Sequence, residues 1–184
     1  MGIKVITAAA DLLTAAEMRL QCRIDGTDSD GLLATALAGA AAYAQHYTGA
    51  SLGQQTLELA IDQFPAGPIQ LPQGPVASIT SLKYINTSGT ETTLSASLYT
   101  LDDYSTPQWC VQAYATDWPD TQDVANAVKV RYVAGIAAAG AVKQAILLLV
   151  AHYYRYPEGV SEGAPKEVPL GVHALLDTVK VWSM

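Results

Sequence analysis

Three kinds of residue in this chain have the chemistry to build a site: clustered aspartates, histidines and cysteines. The stretch "DGTDSDG", residues 25–31, sets Asp28, Asp30 and Gly31 at the spacing of a calcium-binding EF-hand loop. The pattern breaks where it matters. Gly26 takes the place of the first ligand Asp, and Leu37 stands where a bidentate Glu would close the shell. Acids just ahead of an apolar helical run suit instead the positive N-terminal end of a helix dipole. His46, His152 and His173 lie far apart, and none falls in an H-E-x-x-H or His/Cys ligand pattern. Cys22 and Cys110 form no ligand pair and read as small core hydrophobes with reduced thiols, as in an intracellular chain. The sequence lacks a G-x-S-x-G elbow, a P-loop and a Gly-rich phosphate cradle after a strand. No metal and no cofactor is expected, and no catalytic residue.

Two further groups have a sharper and a plainer reading. In "AVKQAILLLVAHYYRYPEG", residues 141–159, His152 beside Tyr153, Tyr154 and Arg155 has the composition of a base flanked by phenols. On that alternative the chain is a small hydrolase centred on His152. The plainer reading is a helix end, where cations suit the negative dipole terminus and Tyr bridges core and water. In "DDYSTPQWCVQAYATDWPDTQD" the acids Asp102, Asp103, Asp117, Asp120 and Asp123 stand without any Lys or Arg. They read as solvated loop acids, or as a face that repels DNA or docks a basic partner, with Trp109 and Trp118 as anchors.

The totals narrow the class. The chain has 184 residues, half of them apolar, enough for one domain or a domain with an insertion. Only 15% of residues are charged, against roughly a quarter in an ordinary soluble domain. Such a chain hides surface against copies of itself or a partner. The net charge of −7 opposes tight binding to a duplex, which requires clustered cations to displace counterions. The wholly apolar run from Ala145 to Ala151 is bracketed by Lys143, Gln144, His152 and Arg155, too closely for the ~20 apolar residues of a membrane span. The opening MGIKVITAAA is too short and too weakly apolar for a secretory signal.

The elements that hold these residues follow from local pattern. Thr14 and Glu17 form a capping box, and Leu13 can staple onto Met18, so a helix begins there; Gly26 is expected to stop it. A second helix follows, with Thr27, Asp28 or Ser29 able to cap it, and Gly49 ends it. Between Gly31 and Gly49 no side chain is charged. A helix with no polar face must be covered on most sides, so Leu33, Ala36, Leu37, Ala40, Ala44 and Tyr47 are expected to meet a neighbouring subunit. After Gly53 the period becomes two. Leu57, Leu59 and Ile61 alternate with polar or small residues, and a hairpin turns at Asn86–Gly89. "FPAGPIQLPQGPV" reads as an irregular crossing or a sheet edge. Val128, Val130 and Tyr132 share one strand face, with Lys129 and Arg131 on the other. Helix returns from Ala141 to Tyr156 and stops at Pro157. A Pro/Gly/Glu linker leads to the tail "VPLGVHALLDTVKVWSM", too apolar to leave in water. Leu170, Leu175, Leu176, Val179 and Trp182 are expected to dock it onto a partner or a neighbouring subunit.

The expected fold class is α+β: a small helical bundle with an inserted antiparallel β unit. Residues 1–53 carry the N-terminal bundle helices, 54–136 the inserted β unit, and 137–184 the last bundle helix, linker and docking tail, one domain in all. The order of these segments resembles the head–tail connector (adaptor) proteins of long-tailed bacteriophages and prophages. The stretches that carry the likeness are "RIDGTDSDGLLATALAGAAAYAQHYTG", "LELAIDQFP", "VKVRYVAG", "VKQAILLLVAHYYRYPEG" and "VPLGVHALL". The resemblance implies a structural virion protein, made in the host cytoplasm and located at the head–tail interface. It implies a twelve-fold ring of this chain that docks under the portal protein, lengthens the DNA channel and offers a platform to tail-completion or tail terminator proteins. DNA would pass without tight binding, and no membrane is involved. The alternative within the same class is a tail-completion or minor head protein with a similar bundle.

Overall fold

The computed structural model describes residues 2–135, 140–156 and 170–180. They form two compact units. The helical unit is made of residues 11–52, 140–156 and 170–180, and the β unit of residues 2–10 and 53–135.

In the helical unit, α1 (Ala15–Cys22) starts where its cap chemistry dictates. Glu17 N–H donates to Thr14 Oγ1 at 3.3 Å, and Thr14 N–H donates back to Glu17 Oε2 at 2.7 Å. Leu13 and Met18 are both buried, as a staple across the first turn requires. The expected stop at Gly26 is corrected: α1 ends at Cys22, and Arg23 adopts the left-handed cap conformation (φ 56°). Thr14→Ala should cost about 1 kcal/mol of stability, read as a lower melting temperature. Hydrogen bonds from the Thr14 backbone and hydroxyl, then Lys143, hold the Glu17 carboxyl below its ordinary 4.5. A carboxylate with a depressed folded pKa stabilises above its unfolded pKa and loses that contribution as pH falls through the folded value. Alanine keeps the backbone bond. Only the share of the gap between the Thr14→Ala and native melting temperatures that comes from the Thr14 hydroxyl on the carboxylate should therefore be full above pH 4.5 and fade in more acidic buffer. The share from the Glu17 N–H cap bond persists.

α2 (Asp30–Thr48) ends on Gly49 (φ 66°). α3 (Gly140–Arg155) and α4 (Leu170–Asp177) complete the unit. The core between these helices includes Leu33, Ala40, Ala44, Val142, Ala145, Ile146, Leu149, Val172 and Leu176, all 0–1% exposed. Arg19 on α1 pairs with Asp30 at the start of α2 (3.2 Å), and Lys143 on α3 reaches Glu17 at 3.3 Å.

The β unit holds two antiparallel sheets. β1 (Gly2–Thr7), β2 (Gln55–Ile61), β8 (Val128–Ala134), β4 (Val76–Ile85) and β5 (Glu91–Thr93) form the larger one, in that spatial order. β3 (Ile69–Leu71), β7 (Gln108–Gln112) and β6 (Tyr99–Asp102) form the smaller. The antiparallel strands divide into two sheets, and β1 departs from the expected bounds of the β unit. It falls within the stretch 1–53 assigned to the bundle, yet it pairs with β2 in register Ile3↔Leu59 and Val5↔Leu57. The Pro-rich crossing contributes a strand of its own, β3. The β core joins Leu57, Leu59, Val128, Val130 and Tyr132 from the larger sheet to Ile69, Leu71 and Cys110 from the smaller. Tyr132 is fully buried, and its hydroxyl donates to the Pro72 carbonyl at 2.7 Å. Burial pushes the Cys110 thiol up to about 12, which keeps it protonated and inert. On the opposite face of the larger sheet, Arg131 binds Glu58 (2.6 Å), and Glu91 takes both Lys83 (3.1 Å) and Lys129 (2.9 Å).

Candidate functional site: the assembly surfaces

The structure places the sequence-predicted site residues other than Trp182. Leu33, Ala36, Leu37, Ala40 and Ala44 lie inside the protomer's own core, where α2 meets α1, α3 and α4. Tyr47 is partly buried against the same core. Small and branched side chains at i, i+3, i+4 and i+7 form one stripe of a helix, and here that stripe packs α2 onto its own neighbours. The opposite stripe, with Leu32, Thr35, Ala38, Gly39, Ala42 and His46, is the exposed one. It is as free of charge as the buried stripe, and Leu32 is 48% exposed. Of the helix singled out for subunit contact, this is the surface a neighbour can reach.

The docking tail is corrected in part. α4 packs against α3 and α2 rather than standing off as an arm. Val172 and Leu176 are fully buried, Leu175 and Val179 pack at the margin of the core, and Leu170 is 83% exposed. Trp182 lies outside the described residues, as do the linker and the rest of the tail beyond Lys180. What fixes α4 is a polar and aromatic seam. Tyr43 Oη lies 2.8 Å from His173 Nε2, and the Tyr47 hydroxyl donates to Asp177 Oδ1 at 2.8 Å. The Tyr47 ring stacks on His173 (5.0 Å between centroids), and Lys180 Nζ sits 4.6 Å above the Tyr47 ring. The Asp177 hydrogen bond holds the Tyr47 phenol above its ordinary range. Sequence reading passed over this seam, although a signal existed: Tyr43/Tyr47 and His173/Asp177 are two pairs at i, i+4 spacing with matching donors and acceptors.

His152 packs against Tyr153 and Tyr156, with centroids 6.0 and 5.4 Å apart. Among the described residues no group of three His, Cys, Asp or Glu side chains is placed to hold a metal ion, and no helix is long and apolar enough to cross a membrane. The acidic stretch is two things at once. Asp102 is a turn residue, accepting from Tyr104 N–H and from the Ser105 hydroxyl (2.6 Å). Trp118 is held inside its own unit, stacked on Phe64 (4.9 Å, 7°) and donating to the Gly67 carbonyl at 3.0 Å. Trp109 borders an apolar groove of about 360 Å³ with Leu59, Ile61, Pro65, Pro68 and Ile69. Tyr104 and Tyr114 stand almost wholly in solvent.

The arrangement is therefore a scaffold of surfaces around two cores. A family model described as phage gp6-like head–tail connector protein matches residues 13–102, from the staple residue of α1 to the end of β6. Over that stretch, 90 of its 184 residues, the chain is similar to gp6-like head–tail connector proteins. Its role is structural, at the head–tail junction of a virion. Among solved structures, this connector is similar to a chain in the neck of an empty gene transfer agent particle computed with C6 symmetry, at 25% identity and a TM-score of 0.82. The match covers 100% of this chain and 97% of that one. A chain from the virion of a native gene transfer agent particle matches at 24% identity and a TM-score of 0.80, with the same coverage. A third chain, from the neck of the native particle computed with C12 symmetry, matches at 24% identity and a TM-score of 0.77. No curated protein sequence matches the connector significantly.

Proposed function

We propose that this connector closes into a twelve-subunit ring under the portal, prolongs the DNA channel and presents its far side to tail-completion or tail terminator proteins. The observation that carries the reading is the likeness, over the whole chain, to a chain of gene transfer agent necks, one of them computed with C12 symmetry. A ring buries a large share of each subunit's surface against its copies, which suits a chain with only 15% charged residues. The uncharged outer stripe of α2 is the first candidate for that contact, and Leu170 with the tail beyond it for contact with the portal. The net charge of −7 suits a channel through which DNA moves without adhering.

Mass photometry and negative-stain microscopy of the purified protein, alone and with purified portal, test the proposal. A twelve-fold ring that stacks coaxially on the portal is expected. Binding to an isolated tail but not to the portal would move the chain to the tail-completion class, and a monomer in every mixture would refute the ring. In a filter-binding assay at moderate ionic strength, retention of duplex DNA should stay weak; a salt-dependent, submicromolar affinity contradicts the passive channel.

A further inference from the structure

The larger sheet ends in two unlike edges. β1 closes one side and β5 the other, in the order β1-β2-β8-β4-β5. All six residues of β1 are exposed. Directly opposed residues of an antiparallel pair share a face of the sheet. Ile3 and Val5, opposite the fully buried Leu59 and Leu57, therefore continue the core face of the sheet, yet they are 38% and 50% exposed. β1 thus offers an edge of backbone groups together with an apolar row that no described residue of its own unit fully covers. Edges of this kind invite strand addition and are blunted or covered in stable proteins.

Registers across the sheet place the charges of the two edges. Lys4 opposes Glu58, which opposes Arg131. Lys129 opposes Lys83, which opposes Thr93 of β5, two residues from Glu91. The ion pairs Arg131–Glu58 and Lys129–Glu91 lie on this same polar face. Lys4 and Glu91, each the one charged residue of its edge strand, thus lie on one face at opposite ends of the sheet. Glu91 already holds Lys83 and Lys129, and its side chain is still 43% exposed.

We infer that β1 of one connector subunit adds to β5 of the next, joining the sheets of neighbouring copies into one continuous band. The inference rests on the ring reading, since a ring requires a heterologous contact between two different patches. Two unlike edges at opposite ends of a sheet supply that contact. Strand addition keeps core face on core face, covering Ile3 and Val5, and brings Lys4 to the side of Glu91. The two-fold alternative, β1 against β1 centred on Lys4, sets like charges opposite each other, which is unfavourable.

Cysteine cross-linking decides the matter, in a Cys22→Ser background that removes the partly exposed native thiol while Cys110 stays buried. Val5→Cys and Thr92→Cys proteins, both substituted on the core face, are oxidised separately and as a mixture. Native mass is measured in parallel. Docking raises the effective thiol concentration, so covalent dimer in the mixture should exceed that of either protein alone on the order of tenfold. A chain carrying both substitutions should give a ladder of covalent oligomers. Dimers of the Val5→Cys protein alone would establish two-fold pairing and overturn the inference. Native-mass rings without cross-links would overturn the strand contact and leave the ring standing. Monomers throughout, without cross-links, would overturn the ring and the contact together.

Discussion

Gly135→Ala is expected to lower the melting temperature by about 10 °C or more, as a cost of about 4 kcal/mol does in a chain of this size. Gly135 follows the last residue of β8, and its N–H donates to the Pro75 carbonyl at 2.9 Å. Its backbone stands at φ +138°, in territory that side chains make costly by about 1–3 kcal/mol. A Cβ there would lie 1.9 Å from the Gly53 carbonyl oxygen, 2.5 Å from its carbon and 2.9 Å from Gln54 Cα. These are backbone atoms and cannot swing aside as a side chain would. The strand ladder pairing Gln55 with Ala134 would have to shift with them. Gly31→Ala serves as the control. That glycine lies in α2 with open space where a Cβ would go, so alanine should be neutral or stabilise by up to ~1 kcal/mol through helix propensity. Differential scanning calorimetry separates the two, and a Gly135→Ala protein melting within a few degrees of native would refute the close approach.

The second large effect separates two faces of one helix. Ala40→Glu should unfold the helical unit, because Ala40 is 0% exposed in its core. A carboxylate forced there without a partner costs about 4 kcal/mol or more. Ala38→Glu, two residues away on the exposed stripe, should leave the protomer's stability within about 0.5 kcal/mol. If the outer stripe meets a neighbour, the same substitution should abolish the ring. Circular dichroism melts report the first effect and mass photometry the second. A folded Ala40→Glu protein would mean that this core is not where the structure puts it. An intact ring with Ala38→Glu would clear the outer stripe of any part in assembly.

What the sequence by itself determined is local. The Thr14–Glu17 capping box, the Gly49 stop, the turn at Asn86–Gly89 and the alternation from Val128 to Ala134 each depend on groups within a few residues of one another, so pattern alone reveals them. The lack of charge from Gly31 to Gly49 likewise announced a helix that must be covered. Which side of it is covered from within could not be read. A helix without a charged face has nothing to break the tie, and only α3 and α4, arriving from more than 90 residues away, choose the stripe of Ala40 over that of Ala38. The same reason applies to β1. Its six residues fit a strand anywhere, and only pairing with β2 places them at a sheet edge. α4 read as an arm because its apolar groups lie beyond a linker. Tertiary structure set them on the bundle through Tyr43–His173 and Tyr47–Asp177, contacts 130 residues apart in sequence. Gly135 carries no local signal at all. Its necessity arises only from the Gly53 backbone folding to within 2 Å of where its Cβ would be.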